Sequence, residues 1–290
     1  MEQGLVLKST GKWYMLELST GKIVQARIRG KLRLEGLSTT NPIAAGDKVY
    51  LLPEVEADDT RLIDNIVPRK NYIVRKSTNL SKQMQILAAN IDHAYLVVTL
   101  KSPVTQIAFI DRFLVSAESF RIPTTILFNK IDLYGEEEMG LLSVLTSIYT
   151  TIGYGVAAIS TLDKTTTNFL LKEIDGNNVM ISGNSGVGKS SLVNALDSNL
   201  DLRTGEISRA HEQGKHTTTF AEMHHLTSGG YIIDTPGIRA FGVINLEKEH
   251  IAHYFPEMRE LLGKCRFHNC MHLNEPHCAV KLALAEEKIA

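Results

Sequence analysis

Between an apolar run, Val179-Met180-Ile181, and a segment of helical composition, Ser191 to Leu196, lies Gly183-Asn184-Ser185-Gly186-Val187-Gly188-Lys189-Ser190. A G-x-x-x-x-G-K-S octapeptide in that setting predicts a strand, a tight turn and a helix N-terminus. The glycines let the backbone wrap a phosphate with its amide hydrogens pointing inward. The helix N-terminus contributes partial positive charge, Lys189 a full one, and the Ser190 hydroxyl is placed to ligate Mg²⁺. Residues 183 to 191, Ser191 included, are therefore candidate contacts to a nucleoside triphosphate. The loop leaves the base open.

The surrounding segments supply it. Strand candidates Ile91–Thr99, Thr124–Phe128, Tyr154–Ile159 and Tyr231–Asp234 alternate with helical patterns at Val104–Phe120, Glu136–Tyr149 and around Thr165–Leu171. That rhythm predicts a mostly parallel, doubly wound sheet. Asn129-Lys130-Ile131-Asp132 follows the second of these strands, at the carboxyl end where such sheets bind ligands. It resembles the guanine-reading Asn-Lys-x-Asp of GTPases. A carboxylate at Asp132 accepts the two hydrogens of guanine N1 and N2, a pair adenine does not offer. The Lys130 stem packs on the purine face, and Asn129 braces the loop. Asp234-Thr235-Pro236-Gly237 matches the D-x-x-G that meets Mg²⁺ through water and senses the γ-phosphate, making Asp234 and Gly237 further nucleotide contacts. The loop Gly214-Lys215-His216-Thr217-Thr218-Thr219 supplies threonines for the Mg²⁺ and γ-phosphate contact, with Thr218 carried as the metal ligand. Ser160 stands where GTPases place a backbone amide near the guanine oxygen, although Thr161-Leu162-Asp163-Lys164 replaces the usual Gly-rich continuation.

The order of these motifs is reversed. Ras-like GTPases run phosphate loop, switch threonine, D-x-x-G, N-K-x-D and then the base-contacting serine or alanine. Here N-K-x-D and Ser160 come first. Every strand keeps its place if the old ends are joined and the chain is cut after D-x-x-G, so residues 71–241 are expected to form a circularly permuted GTPase domain. The segment after Gly237 then leads straight into the C-terminal residues, which are expected to receive the γ-phosphate signal.

Residues 1–70 read differently. Short β-rich runs (Val6-Leu7, Trp13–Leu18, Ile23–Ile28, Lys48–Leu52) alternate with turn signals such as Ser19-Thr20-Gly21-Lys22 and Gly46-Asp47, as in a small barrel or sandwich. Arg27, Arg29, Lys31 and Arg33 recur at a spacing of two, which aligns cations on one face of an extended chain. Such a row is either a solvated strand face or a nucleic-acid-facing stripe of the kind OB folds use. Residues 1–53 hold eight Lys/Arg against four Asp/Glu, although the whole chain of 290 residues has a net charge of −1. Trp13 and Tyr14 are assigned to no site, since aromatics in so small a barrel are more often core. No apolar run approaches membrane-spanning length and Met1-Glu2-Gln3-Gly4 lacks the basic and apolar regions of a signal peptide, so the expectation is a cytoplasmic protein without a membrane partner.

The three cysteines all fall between residues 265 and 278. An odd number, clustered, points to metal rather than disulfides. Cys265, Cys270 and Cys278 with one histidine would make a closed tetrahedral Zn²⁺ set of the structural type. His272 sits within the cluster; His268 and His277 are rivals, the latter disfavoured because it adjoins Cys278. The preceding stretch His250–Leu262 reads as helix interrupted at Pro256.

Taken together, Asn129–Asp132, Gly183–Ser191, Gly214–Thr219, Asp234-Thr-Pro-Gly-Ile-Arg239 and the C-x4-C-x-H-x5-C run make the chain similar, over its full length, to the RsgA (YjeQ/YloQ) family of bacterial ribosome small-subunit-dependent GTPases. The resemblance implies a multidomain α/β protein: an N-terminal OB-fold β-barrel (1–70), a circularly permuted Ras-like P-loop GTPase domain (71–241) and a C-terminal helical zinc-binding domain (242–290). It implies zinc held by Cys265, Cys270, His272 and Cys278, Mg²⁺ bound with GTP, and a monomer that binds the 30S ribosomal subunit and its 16S rRNA and hydrolyses GTP to GDP there. Relatives usually continue past the position of Ala290. Ile238 stands where Ras-like enzymes place the glutamine that orients water. Slow unassisted hydrolysis is expected, with Lys189 stabilising charge and His216 the in-chain candidate for handling the water. A nucleotide-gated rRNA-binding module with incidental hydrolysis is the alternative.

Overall fold

The computed structural model describes residues 2–30, 41–55, 59–76, 84–200, 221–234 and 246–290. Its first strands are β1 (Glu2–Ser9), β2 (Tyr14–Leu18), β3 (Ile23–Ile28), β4 (Lys48–Val55) and β5 (Arg61–Ile66). They pair in the order β1-β2-β3-β5-β4, and β4 pairs back onto β1, so the sheet closes. Period-two alternation explains the closure: Tyr14, Leu16, Leu18, Val24 and Ala26 point inward and are buried, whereas Met15, Ile23, Gln25 and Arg27 face out. With Val6, Ile43, Val49, Leu51 and Ile63 they fill a barrel of OB type. Tyr14 is core, and Trp13 is exposed. Arg27 and Arg29 are exposed at the end of β3; Lys31 and Arg33, the rest of the cationic row, lie outside the described residues.

The second sheet layer is made of β8 (His93–Val98), β9 (Thr124–Phe128), β10 (Gly155–Ala158), β11 (Asn178–Ser182), β12 (Glu222–His225) and β13 (Tyr231–Asp234). Their order is β10-β9-β8-β11-β13-β12, parallel throughout except for β12 against β13. Helices α1 (Ile107–Ser119) and α2 (Glu136–Ile152) cover one face, with Ile110, Phe113, Leu142 and Leu145 against Leu96, Val98, Ile126 and Phe128. Helices α3 (Asn168–Ile174) and α4 (Lys189–Leu196) cover the other, with Leu170, Ile174, Leu192 and Val193 against Val97, Leu127, Val179 and Ile181. Burial on both faces is what lets parallel strands read as continuous apolar runs. Helix α1 starts three residues later than its apolar pattern, because the chain first closes a turn in which the Thr105 amide donates to the Thr99 carbonyl (2.8 Å).

Four strands escaped the pattern reading, the first of them β5 (Arg61–Ile66), which joins β3 to β4 in the barrel. Strands β6 (Tyr72–Lys76) and β7 (Met84–Ala89) form a separate antiparallel pair. Ile73 and Val74 face opposite sides and join different apolar clusters, and a bulge at Leu87 of β7 puts Leu87 and Ala88 together on the side of Ile73. Strand β12 is the fourth, and it carries the join to the barrel. Lys8 of β1 pairs with Glu222 of β12 in register, and their side chains form an ion pair at 2.7 Å. Next to the inward-facing Val6, Leu7 points out of the barrel into the α1/α2-side core, and the register shift between Val6 and Lys8 keeps Lys8 on that outer side, opposite Met15. The exposed edge of the second sheet is thereby capped by the first.

The link is tightened by Arg69, whose guanidinium donates to both oxygens of Asp47 (2.7 and 2.6 Å) and to the Pro42 carbonyl (2.6 Å). Asp47 is wholly buried and also accepts from the Ala44 amide.

In the C-terminal part, His250–Leu262 departs from the helical expectation. Lys248–Tyr254 is a 3-10 helix and Pro256–Arg259 a single α-turn. The residue before a proline is pushed out of the helical region, and Phe255 sits at φ −103°, ψ 111°. The last helix is Ala279–Ala285. Residues 235–245, which join this part to β13, lie outside the described residues, as does any signal they carry. No helix among the described residues is long and apolar enough to cross a membrane.

Removing one partner of a buried, doubly hydrogen-bonded ion pair leaves the other charge unpaired, at a cost of about 3–5 kcal/mol. Asp47→Ala is therefore expected to lower unfolding free energy by about that amount, measured as a shift in the urea midpoint. An unchanged midpoint would show that the Arg69 clamp is not structural.

Candidate nucleotide site and metal centre

Because β8, β9, β11 and β13 run parallel, their carboxyl ends share one edge of the sheet. The phosphate loop leaves β11 there. Gly183, Gly186 and Gly188 adopt φ of 148°, 82° and 98°. Two of these glycines are also forced by space: a Cβ at Gly183 would lie 2.2 Å from the Val97 carbonyl oxygen, and one at Gly188 would lie 2.4 Å from Asn129 Nδ2. Lys189, at the start of α4, folds back to donate from Nζ to the carbonyls of Gly183 (2.9 Å) and Asn184 (2.7 Å). Burial lowers its pKa from the ordinary lysine value, and the Asp234 carboxylate pulls it back up. Ser190 and Ser191 continue the first turn of α4 and are half-buried.

The base loop meets this loop directly. Asn129, wholly buried at the end of β9, donates from Nδ2 to the Val187 carbonyl (2.8 Å). Lys130, left-handed at φ 64°, donates from Nζ to the carbonyls of Gly186 (2.7 Å) and Ser102 (2.6 Å). Its stem is thus stretched across the space between the two loops. Asp132 is exposed, and its Oδ1 accepts a hydrogen bond from the Ser160 hydroxyl. The Ser160 amide, expected near the guanine oxygen, instead donates to Thr166 Oγ1 (2.9 Å). Ser160 therefore contributes here by holding the Asp132 carboxylate. Two of the four buried side-chain polar atoms without a partner among the described residues, Asn129 Oδ1 and Ser182 Oγ, also lie at this edge. Buried orphans of this kind are rare in folded proteins and commonly await a ligand or water.

Asp234 ends β13 level with Ile181 of β11, which puts it beside the phosphate loop. His216, Thr217, Thr218, Thr219 and Gly237 lie outside the described residues. Three residues the sequence reading did not single out belong to the site. Tyr134 donates its hydroxyl to the Asn129 carbonyl (2.8 Å) and accepts from the Leu100 amide (2.9 Å), pinning the base loop to the β8–α1 turn. Thr166 holds Ser160, and the Ser102 carbonyl holds Lys130. A polar residue just past N-K-x-D was the only signal for Tyr134; the other two had none.

In the C-terminal part, one donor atom each from Cys265, Cys270, His272 and Cys278 lies within 4.8 Å of the rest. His272 Nδ1 is 3.6 Å from Cys265 Sγ and 3.3 Å from Cys278 Sγ. Zinc bonds of about 2.3 Å to sulfur and about 2.0 Å to nitrogen give tetrahedral edges of about that length. The Ala279 and Lys281 amides point at Cys265 Sγ (3.3 Å) and Cys278 Sγ (3.5 Å), stabilising thiolate character. The cluster fits one zinc ion. His268 and His277 are not among its donors, and the His277 carbonyl is taken by the Arg266 amide.

A doubly wound sheet that enters at the base loop and ends at the phosphate sensor, flanked by an OB-type barrel and a Cys3His cluster, is that of a circularly permuted P-loop GTPase. The family described as RsgA GTPase matches residues 66–244, and the RsgA N-terminal domain matches residues 3–60. The chain is 49% identical over 289 residues to the small ribosomal subunit biogenesis GTPase RsgA of Christiangramia forsetii, covering 99% of this chain and 92% of that one. It is 48% identical over 288 residues to the protein of the same name from Bacteroides fragilis, with the same coverage. The crystal structure of YjeQ from Thermotoga maritima superposes with a TM-score of 0.77 at 32% identity, covering 100% of this chain and 93% of that one. YloQ, a circularly permuted GTPase, gives 0.74 at 26% identity, with 99% and 89% covered. The chain belongs to the RsgA GTPase family.

Gly188→Ala puts a methyl against Asn129 and a non-glycine residue in the left-handed region, costing about 1–2 kcal/mol from conformation alone. Guanine-nucleotide affinity is expected to fall by about tenfold or more, measured by titration with a fluorescent GDP analogue. Wild-type affinity in the variant would show that the Asn129 brace does not shape the site.

Proposed function

We propose that this chain is a small ribosomal subunit biogenesis GTPase that binds the 30S subunit through its 16S rRNA, hydrolyses GTP there, and works as a monomer in the cytoplasm. The contact between Asn129 and Val187 carries the GTPase half of this reading, because it joins a guanine-type base loop to a phosphate loop. The ribosomal half rests on the relatives that are 48–49% identical over nearly the whole chain, both small ribosomal subunit biogenesis GTPases. GTP is held by Gly183, Asn184, Ser185, Gly186, Val187, Gly188, Lys189, Ser190 and Ser191 at the phosphates. Asp234 and Gly237 sense the γ-phosphate, Ser190 and Thr218 hold Mg²⁺, and Asn129, Lys130 and Asp132 take the base, with Ser160 aiming Asp132. Lys189 supplies charge to the transferring phosphoryl group, and the metal supplies the remaining charge stabilisation. His216 orients the water, a task that Ile238 has no polar atom to perform.

GTP turnover is expected to be slow alone and strongly stimulated by 30S subunits, with ATP unaffected, in a steady-state phosphate-release assay. His216→Ala should cut the stimulated rate by about a hundredfold while leaving GTP affinity near wild type. Binding to 30S that depends on GTP but brings no stimulation would favour the nucleotide-gated binding module instead.

The Cys265, Cys270, His272 and Cys278 donors hold one structural zinc. The C-terminal part has little buried apolar surface of its own, so the metal supplies much of its folding energy. Purified protein should contain about one zinc per chain, and Cys270→Ser should lose it together with protection of the Ala279–Ala285 amides in hydrogen exchange. Retained protection after metal loss would remove the structural role.

A further inference from the structure

The barrel is fastened to the strand that ends in Asp234. One row of paired residues crosses three strands: Lys8 of β1 lies opposite Glu222 of β12, and Glu222 lies opposite Asp234 of β13. The row continues to Ile181 of β11, just before the phosphate loop. Lys8 and Glu222 close an ion pair at 2.7 Å between partly exposed side chains. At the other end of the same hairpin, Tyr231 opens β13 opposite His225 and donates its hydroxyl to Glu17 of β2 at 2.9 Å. Burial, and then the Glu17 carboxylate, push the Tyr231 pKa up to about 12, so this donor keeps its proton. Leu7 of the barrel also joins Ala221, Met223 and Ile233 in one apolar cluster.

Backbone pairing alone can cover a sheet edge, but β1 meets β12 at a single register position. What fixes the barrel against the hairpin is therefore side-chain contact: an ion pair at one end, a hydroxyl–carboxylate bond at the other, and the packing of Leu7. The β12–β13 hairpin is also the segment that the nucleotide site brackets. Asp234 closes it, and the Gly214–Thr219 loop precedes it in the chain. A force placed on Asp234 acts on a residue whose partner across the ladder is Glu222, and Glu222 is held by Lys8. The motif order points the γ-phosphate signal forward, into the C-terminal residues; the contacts among the described residues lead backward, into the barrel. Coupling between two sites needs an element that both of them bias, and this hairpin touches both.

We propose that Lys8 and Glu17 are positioning residues for GTP hydrolysis: through Glu222 and Tyr231 they tie the barrel to the β12–β13 hairpin, so that what engages the barrel sets Asp234. The nucleotide sets the barrel in return, since coupling between two binding events is reciprocal. The tie rests on the reading above for the role of Asp234 and for the particle that the barrel meets.

Each contact alone is weak, because a solvent-facing ion pair changes an equilibrium constant by no more than about fivefold. The test therefore removes both, with Lys8→Met and Tyr231→Phe in one full-length chain. Hydrogen exchange of the Leu5–Ser9 amides is compared between GDP and a non-hydrolysable GTP analogue, without ribosomes. The wild type is expected to change there by about fivefold and the double variant by less than about twofold, while the Glu222–His225 amides keep their response. At saturating 30S subunits, kcat for GTP should fall by about five- to tenfold in the double variant. Basal turnover, GDP affinity and 30S affinity in the GDP state should be unchanged. Lys8→Arg, which keeps the ion pair, should hold both readouts at wild-type values. No nucleotide-dependent change in Leu5–Ser9 of the wild type, an undiminished change in the double variant, or an intact stimulated kcat overturns the proposal. Equal losses of basal and stimulated turnover also overturn it, by reducing the contacts to a structural role. A wild type that 30S subunits do not stimulate removes the ribosomal reading, and the exchange comparison then decides the tie by itself.

Discussion

One hydrogen bond, from Asn129 Nδ2 to the Val187 carbonyl at 2.8 Å, holds the nucleotide site together. Its donor and acceptor are 58 residues apart in the chain and come from loops that the sequence order has reversed. The bond demands that residue 188 be glycine, since any Cβ there would sit 2.4 Å from the donating nitrogen. It also demands that Asn129 be buried, because an exposed amide would exchange with water and lose most of the net gain. Lys130 repeats the connection at Gly186 and extends it to Ser102. Base loop, phosphate loop and the turn after β8 are thus one hydrogen-bonded unit.

That unit explains why permutation is tolerated. A doubly wound sheet gathers its binding loops at the carboxyl ends of neighbouring strands, and the neighbours are set by hydrogen bonding and burial rather than by chain order. With β9, β8, β11 and β13 adjacent in that order, the loops meet wherever the chain is cut. What changes is the surroundings of the ends. Strand β12 would be a bare edge, and β1 covers it. Strand β1 pairs with β2 along one edge, and along the other with β4 over Glu2–Leu5 and then with β12 at Lys8, while Leu7 on its outer face packs into the second core. The division near residue 70 is therefore softer than a linker, and Arg69, gripping Asp47, is part of the packing.

The features legible in the sequence are those whose chemistry is local. The phosphate loop, Asn129–Asp132 and the cysteine spacing each occupy a few residues with constrained identities, and barrel strands β2 and β3 alternate cleanly, whereas β5 does not and escapes the pattern. The misses are all long-range or irregular. Strands β6 and β7 share their side chains between two clusters across a bulge, so no period survives. Strand β12, Glu-Met-His-His, shows no apolar run because half of it faces partners of the opposite kind, Lys8 among them. Tyr134, Thr166 and Ser102 earn their places through contacts to loops elsewhere in the chain. The helix expected over His250–Leu262 had the right composition, but Pro256 set Phe255 in an extended conformation and left a 3-10 turn on one side and a single α-turn on the other.

The same distinction bears on Ser160. Its position after a strand placed it at the base, and the fold sets it beside the base loop, with its amide on Thr166 and its hydroxyl on Asp132. An exposed carboxylate on a short loop would otherwise sample several rotamers, each solvated by water. A hydroxyl donor on one oxygen restricts it and leaves the second oxygen as the acceptor with the freer geometry. On the proposed assignment of Asp132 to the base, guanine selectivity rests on two hydrogens arriving at a carboxylate already aimed, since ordering it on binding would subtract from the discrimination. The missing Gly-rich continuation after Ser160 is thereby offset by Thr166, which fixes the loop through a side chain where a tight backbone turn would otherwise do so.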